Sequence, residues 1–67
     1  MKITVGDFLK LCDDSKQIVS LYRKNETFSF VRVDYLMTNY SLYEDWLNGI
    51  IEAWYFDKKE LVISIED

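Results

Sequence analysis

Cys12 is the one cysteine in this chain of 67 residues, and the chain contains no histidine. A disulfide needs a second thiol, and a His-containing metal site or a His-based catalytic triad needs histidine, so none of these is open to it. Chains below roughly 70–80 residues usually add a staple, because a core this small buries only about 60% of the unfolded surface. What remains is an aromatic-rich core, self-association, or both. The residues are 49% apolar and include 11 aromatics, which suits a packed domain over residues 1–67 and not a disordered tail. The lone thiol fits a reducing compartment. Lys2 and Asp7 place charge where a signal peptide needs an unbroken apolar run. No stretch approaches the roughly 18 apolar residues of a membrane span. A soluble cytoplasmic protein is expected, without contact to the membrane.

The N-terminal pattern predicts a helix. Thr4 stands as N-cap with Asp7 three residues on, and Ile3 and Phe8 occupy the positions of a hydrophobic staple. Val5, Phe8, Leu9 and Cys12 follow the helical i, i+3, i+4, i+7 rhythm, and Asp13-Asp14-Ser15 ends it. Ile18 to Arg23 and Phe28 to Val33 then read as a hairpin of two strands. A turn at Asn25-Glu26 sets Leu21 opposite Phe30 and Arg23 opposite Phe28. One face then holds Val19, Leu21, Phe28 and Phe30 between Arg23 and Arg32; the other holds Ile18, Tyr22, Val31, Val33, Ser20 and Ser29.

Asp34 to Tyr40 shows neither period and reads as an extension of the second strand or an irregular loop. Ser41-Leu42-Tyr43-Glu44 forms a second capping box, opening a short helix through Asn48 that Gly49 terminates. Its apolar face is Leu42, Trp46 and Leu47. Ile50 to Phe56 and Leu61 to Ile65 form a second hairpin around Lys58-Lys59, with Phe56 opposite Leu61 and Trp54 opposite Ile63. Ile50, Ile65 and, discordantly, Glu52 share that face; a buried unpaired carboxylate is costly, so Glu52 belongs at an edge or beside Arg23 or Arg32. The fold class is α+β: helix-hairpin-helix-hairpin order, a four-stranded antiparallel sheet packed by two short helices. An offset of 33 residues superimposes the turns, matching Leu9 to Leu42 and Tyr22 to Tyr55, as a repeated architecture.

Charge is unevenly placed. Residues 1–33 carry six basic and four acidic side chains, +2, whereas residues 34–67 carry two and eight, −6. Tyr43-Glu44-Asp45-Trp46 interleaves carboxylates with large aromatics. An acidic field repels nucleic acid and steers basic clefts toward it, and neighbouring aromatics can supply the anchors that charge alone does not. A solvated acidic face also keeps a small protein soluble, which is reading enough for any single residue; the coincidence of charge and aromatics singles out the second half. The candidate partner-binding residues are Tyr43, Glu44, Asp45, Trp46, Asp57, Glu60, Glu66 and Asp67.

Catalysis finds little footing. Cys12 lies on an apolar stripe with no histidine to activate it. Asp13 and Asp14 point in diverging directions and cap a helix end more naturally than they hold a cation. The serines lack a base, and no Gly-rich phosphate cradle is present. No enzyme activity, metal or cofactor is therefore expected. Phe28 and Phe30 flanked by Arg23 and Arg32 match the way sheets stack single-stranded bases, while the same residues also make a core face with snorkelling arginines. Net charge −4 opposes phosphate binding.

The opening Thr4-Val5-Gly6-Asp7-Phe8-Leu9-Lys10-Leu11-Cys12-Asp13-Asp14, followed by hairpins and an acidic end, resembles short proteins of gram-positive phages and mobile elements. In size, acidity and aromatic content the chain is similar to anti-CRISPR proteins, several of which occlude the basic DNA-binding or PAM-reading cleft of a Cas nuclease with carboxylates. The resemblance implies a non-catalytic inhibitor acting in the cytoplasm of a bacterial host on a protein with a basic surface, such as a Cas nuclease, without binding nucleic acid itself. The alternatives are a homo-oligomeric structural or interaction protein of a phage or mobile element, a homodimer being its simplest form, and a single-strand nucleic-acid binder.

Overall fold

The computed structural model describes residues 2–66. Helix α1 (Val5–Leu9) starts where expected: Thr4 is extended and its Oγ1 accepts the Asp7 N–H at 3.1 Å. Val5 and Leu9, one turn apart, are both buried. The helix stops earlier than its apolar rhythm suggests. Leu11 and Cys12 donate to the Phe8 and Leu9 carbonyls, tightening the last turn, so Leu11 swings into solvent while Cys12 stays half-buried against the core.

Strands β1 (Ile18–Arg23) and β2 (Glu26–Arg32) form the first hairpin, but Lys24 and Asn25 make the loop, and Arg23 pairs with Glu26. An ion pair of 2.9 Å between those two side chains closes it. Leu21 therefore faces Phe28, not Phe30. A β-bulge opposite Ser20 then adds one residue to β2: Phe30 takes a left-handed φ of 56°, its N–H bonds to Ser20 Oγ at 3.2 Å, and its ring is 76% exposed. Beyond the bulge Val31 returns opposite Val19 in the core. The expected shared face of Phe28 and Phe30 between two arginines is thus absent. Phe28 packs against the core and Phe30 is thrown out of it.

Residues 34–40, unreadable by period, are mostly helical. Helix α2 (Val33–Thr38) follows β2 directly, and α3 (Tyr40–Leu47) follows after Asn39. Arg32, the N-cap of α2, gives no side-chain cap; the Val33 and Asp34 N–H groups instead bond to the Gln17 and Ser15 carbonyls. Ser41 accordingly lies inside a helix and does not cap one. Leu36 is fully buried, whereas Leu42, expected on the apolar face of this stretch, is 73% exposed; Tyr43 has non-helical angles and kinks α3 there. Gly49 follows the end of α3 with a negative φ; a Cβ there would sit 2.7 Å from Ile65 Cγ2, so the position needs space, not handedness.

Strands β3 (Ile51–Asp57) and β4 (Glu60–Ile65) pair as expected, Phe56 opposite Leu61 and Trp54 opposite Ile63. A second irregularity lies between Ile51 and Ala53, so Ile51, and not Glu52 as the expected register implies, faces Ile65. This resolves the discord at Glu52, which sits exposed on an edge strand. The sheet order is β2-β1-β4-β3, and the central pair, β1 and β4, is parallel. The sheet is thus mixed, not wholly antiparallel, and among the described residues three short helices accompany it, not two. The long α2–α3 connection carries the chain from one edge of the sheet to the other, which makes the parallel pairing geometrically open. The first strand of one hairpin abuts the second strand of the other, so the sheet does not place the two hairpins equivalently and the 33-residue offset has no counterpart in it.

One core holds the molecule. Val5 and Leu9 of α1, Val33 and Leu36 of α2 and Leu47 of α3 join Val19, Leu21, Val31, Leu61, Ile63 and Ile65 of the sheet. The helices therefore serve one face. On the opposite face Ser20 and Val62, neighbours in the ladder, are buried, while Tyr22 and Tyr55 are exposed. Among the described residues, no helix is long and apolar enough to cross a membrane.

Candidate protein-binding site

The kink in α3 turns Tyr43 and Trp46 onto Phe28, with ring centroids 5.1 and 5.8 Å away. Tyr43 Oη donates to Tyr35 Oη at 3.1 Å, and that hydrogen bond, followed by burial, raises the Tyr43 pKa. The Arg23 guanidinium lies 3.9 Å from the centre of the Trp46 ring, and its Nη2 reaches Asp45 at 3.0 Å and Glu26 at 2.9 Å. Arg23 thereby ties the first hairpin to α3. Tyr43 and Trp46 are half-buried parts of the scaffold, while Glu44 and Asp45 project from it into solvent.

The remaining candidates are dispersed. Glu66 pairs with Lys2 at 2.8 Å, at the end of β4. Asp57 and Glu60 face each other across the ladder and flank Lys58-Lys59 at the opposite end of the sheet, about 20 Å from Glu66 along β4. Asp67 lies outside the described residues. The structure brings Tyr43, Glu44, Asp45 and Trp46 together and leaves Asp57 and Glu60 apart from them. Glu26 shares the Arg23 end through its ion pair, and Glu52 lies there beside Arg23 and Lys24.

A second feature escaped the reading of charge. Trp54, Tyr55 and Phe56 are 51, 59 and 57% exposed on edge strand β3. Successive strand residues point to opposite faces, so three large rings in a row must leave at least one outside the core. That was the signal available in the sequence. Phe8 stacks on Trp54 at 5.3 Å, and Phe8, Leu11, Cys12, Trp54 and Phe56 line a shallow apolar groove.

Asp13 and Asp14 are exposed, and Asp14 Oδ1 accepts the Lys16 N–H at 2.9 Å, which closes a local turn. Among the described residues no three His, Cys, Asp or Glu side chains converge as a metal site. Arg32 grips Asp34 through two of its guanidinium nitrogens, Nε and Nη2, and those hydrogen bonds hold the Asp34 carboxyl below the usual carboxylate range against the opposing effect of burial. A lowered folded-state pKa contributes stability that is present above the ordinary carboxylate value and lost as pH falls through the folded one. Thermal melts from about pH 5 to about pH 2 should therefore show a smaller acid-induced drop in Tm for Asp34→Asn than for the unaltered chain. Equal drops would mean the pair contributes nothing. No protein-family model, curated protein or solved structure matches this chain.

Proposed function

We propose that this chain is a non-catalytic binding protein of the anti-CRISPR type, which blocks a basic nucleic-acid-binding cleft of a bacterial defence nuclease. The observation that carries the reading is where the charge sits: residues 34–67 hold −6, and α3 presents Glu44 and Asp45, with the exposed Leu42, from a scaffold stiffened by Arg23, Trp46 and Phe28. Glu26, Glu52 and Glu66 lie at the same end, Glu26 paired with Arg23, Glu66 with Lys2, and Glu52 beside Arg23 and Lys24. Asp57 and Glu60 lie at the other end of the sheet from Arg23 and Asp45. Tyr43 and Trp46 act in this reading by holding the acids in place, since their rings are committed to Phe28. The single-strand alternative has lost its stacking surface, because Phe28 and Phe30 do not share a face.

Carboxylates that compete with DNA phosphates should inhibit in a salt-sensitive way. Inhibition of DNA cleavage should be measured with a panel of Cas nucleases at low and moderate salt. The expected result is inhibition of at least one, weakened about tenfold or more by the double reversal Glu44→Lys, Asp45→Lys, with the variant as stable as the parent. Inhibition untouched by the reversal would remove α3 from the contact, and a panel wholly uninhibited would overturn the reading.

A further inference from the structure

We propose that β3 is a self-recognition edge: two copies of the chain pair β3 against β3 in antiparallel, two-fold symmetric register about Tyr55, joining two four-stranded sheets into one of eight strands. The two edges of the sheet are finished differently. β2 is bulged at Phe30 and carries charged residues at both ends, Glu26 and Arg32, the usual defences of a free edge. β3 is bulged too, at Glu52, and ends in Asp57, but its bulge lies at its start and leaves Ala53 to Phe56, four uncharged residues that include three half-exposed rings, in regular register with β4. The segment before α1 covers only the start of this edge, the Ile3 carbonyl accepting the Ile51 N–H at 2.9 Å. Glu52 to Asp57 of this edge strand lie beyond it.

The hydrogen-bonding parity selects the register. A two-residue loop at Lys58-Lys59 makes Asp57 and Glu60 the closing hydrogen-bonded pair, so Asp57, Tyr55 and Ala53 point their backbone groups at β4. Trp54 and Phe56 point theirs outward. Symmetry about Tyr55 sets Trp54 of each copy opposite Phe56 of the other, and the four outward N–H and C=O groups of each strand are all paired. The same register places aromatic against aromatic on the helix side, where the Phe8–Leu11 groove continues the apolar surface. It also brings Glu52, at the bulge where β3 starts, near Lys58, in the turn beyond the end of β3, of the second copy, twice over. Symmetry about Trp54, which keeps the same parity, would set Glu52 against Phe56 and Asp57 against Ile51. Charge therefore favours Tyr55 as the centre, and the partner is a second copy because one strand supplies both halves of each pair.

Glu52, at the start of β3, and Lys58, in the turn just past its end, are separated by nearly the whole strand, roughly 20 Å, so any coupling between them must be intermolecular. Sedimentation velocity from about 1 to 100 μM should show a species of twice the 8.1 kDa chain mass. Glu52→Lys alone and Lys58→Glu alone each turn two attractions into two repulsions and should weaken dimerisation about tenfold; the double variant should restore it. Trp54→Lys should leave a monomer, its far-UV circular dichroism unchanged because that ring is half-exposed. A parent that stays monomeric at 100 μM overturns the proposal. So does a dimer in which the charge swap gives no rescue, since it would use another register or another surface.

Discussion

Leu36→Ala should bring the domain close to unfolding, while Leu42→Ala should leave its stability within about 0.5 kcal/mol of the parent. The two leucines lie six positions apart in a stretch that sequence alone assigns half to a loop and half to a helix. Leu36 is fully buried against the sheet, and truncating a leucine in such a site costs about 2–5 kcal/mol, part transfer and part cavity. A chain of 67 residues has about 3–10 kcal/mol of total stability. One methyl cluster on α2 is thus a large fraction of what keeps the protein folded. Leu42 is 73% exposed beside the kink and forfeits little. Urea denaturation followed by circular dichroism separates the cases: the midpoint for Leu36→Ala should fall steeply with an unchanged slope. A loss under about 1 kcal/mol at Leu36 would mean that α2 is not seated as described.

What was legible in the sequence, and what was not, divides along the reach of the interactions. The Thr4 cap and the Lys58-Lys59 hairpin depend on residues within a few positions of one another, and both stand as read. α2 depends on carbonyls of Ser15 and Gln17, more than a dozen residues away, which replace the side-chain cap its sequence lacks. No local rule could have placed it. The bulges at Phe30 and Glu52 are long-range in the same sense. Each lets an apolar residue, Val31 or Ile51, return to the core face, and the gain lies in the packing on the other side of the sheet. Because a bulge inverts every face beyond it, one missed residue was enough to put Phe30 inside and Val31 outside. The parallel central pair follows from the same cause, since the sheet order is set by the α2–α3 crossover. The acidic candidates suffered from a different limit. Charge can be counted along a chain, but the two ends of a hairpin are adjacent in sequence to nothing that tells them apart, and Asp57 and Glu66 lie at opposite ends of the β3–β4 hairpin.

Trp46→Ala should destabilise the domain by about 2–3 kcal/mol, below the 3–5 kcal/mol of a fully buried ring because Trp46 is only half-covered. Read from sequence beside Glu44 and Asp45, Trp46 is an anchor for a partner. In the structure it stacks on Phe28 from one side and carries the Arg23 guanidinium on its face. Removing it strips both neighbours at once: Phe28 loses a ring at 5.8 Å, and Arg23 is left with its two carboxylates but no surface to lie on. A double-mutant cycle with Phe28→Ala should return a coupling of about 0.5–1.5 kcal/mol, the value for a contacting aromatic pair. Asp45→Asn, whose side chain is 82% exposed, should by contrast barely move the urea midpoint. The distinction bears directly on the binding surface. If Trp46 is scaffold, Trp46→Phe preserves partner affinity while the Glu44 and Asp45 double reversal weakens it. If it is an anchor, Trp46→Ala keeps a parent-like urea midpoint and loses the partner all the same, and the ring would then have to leave Phe28 on binding.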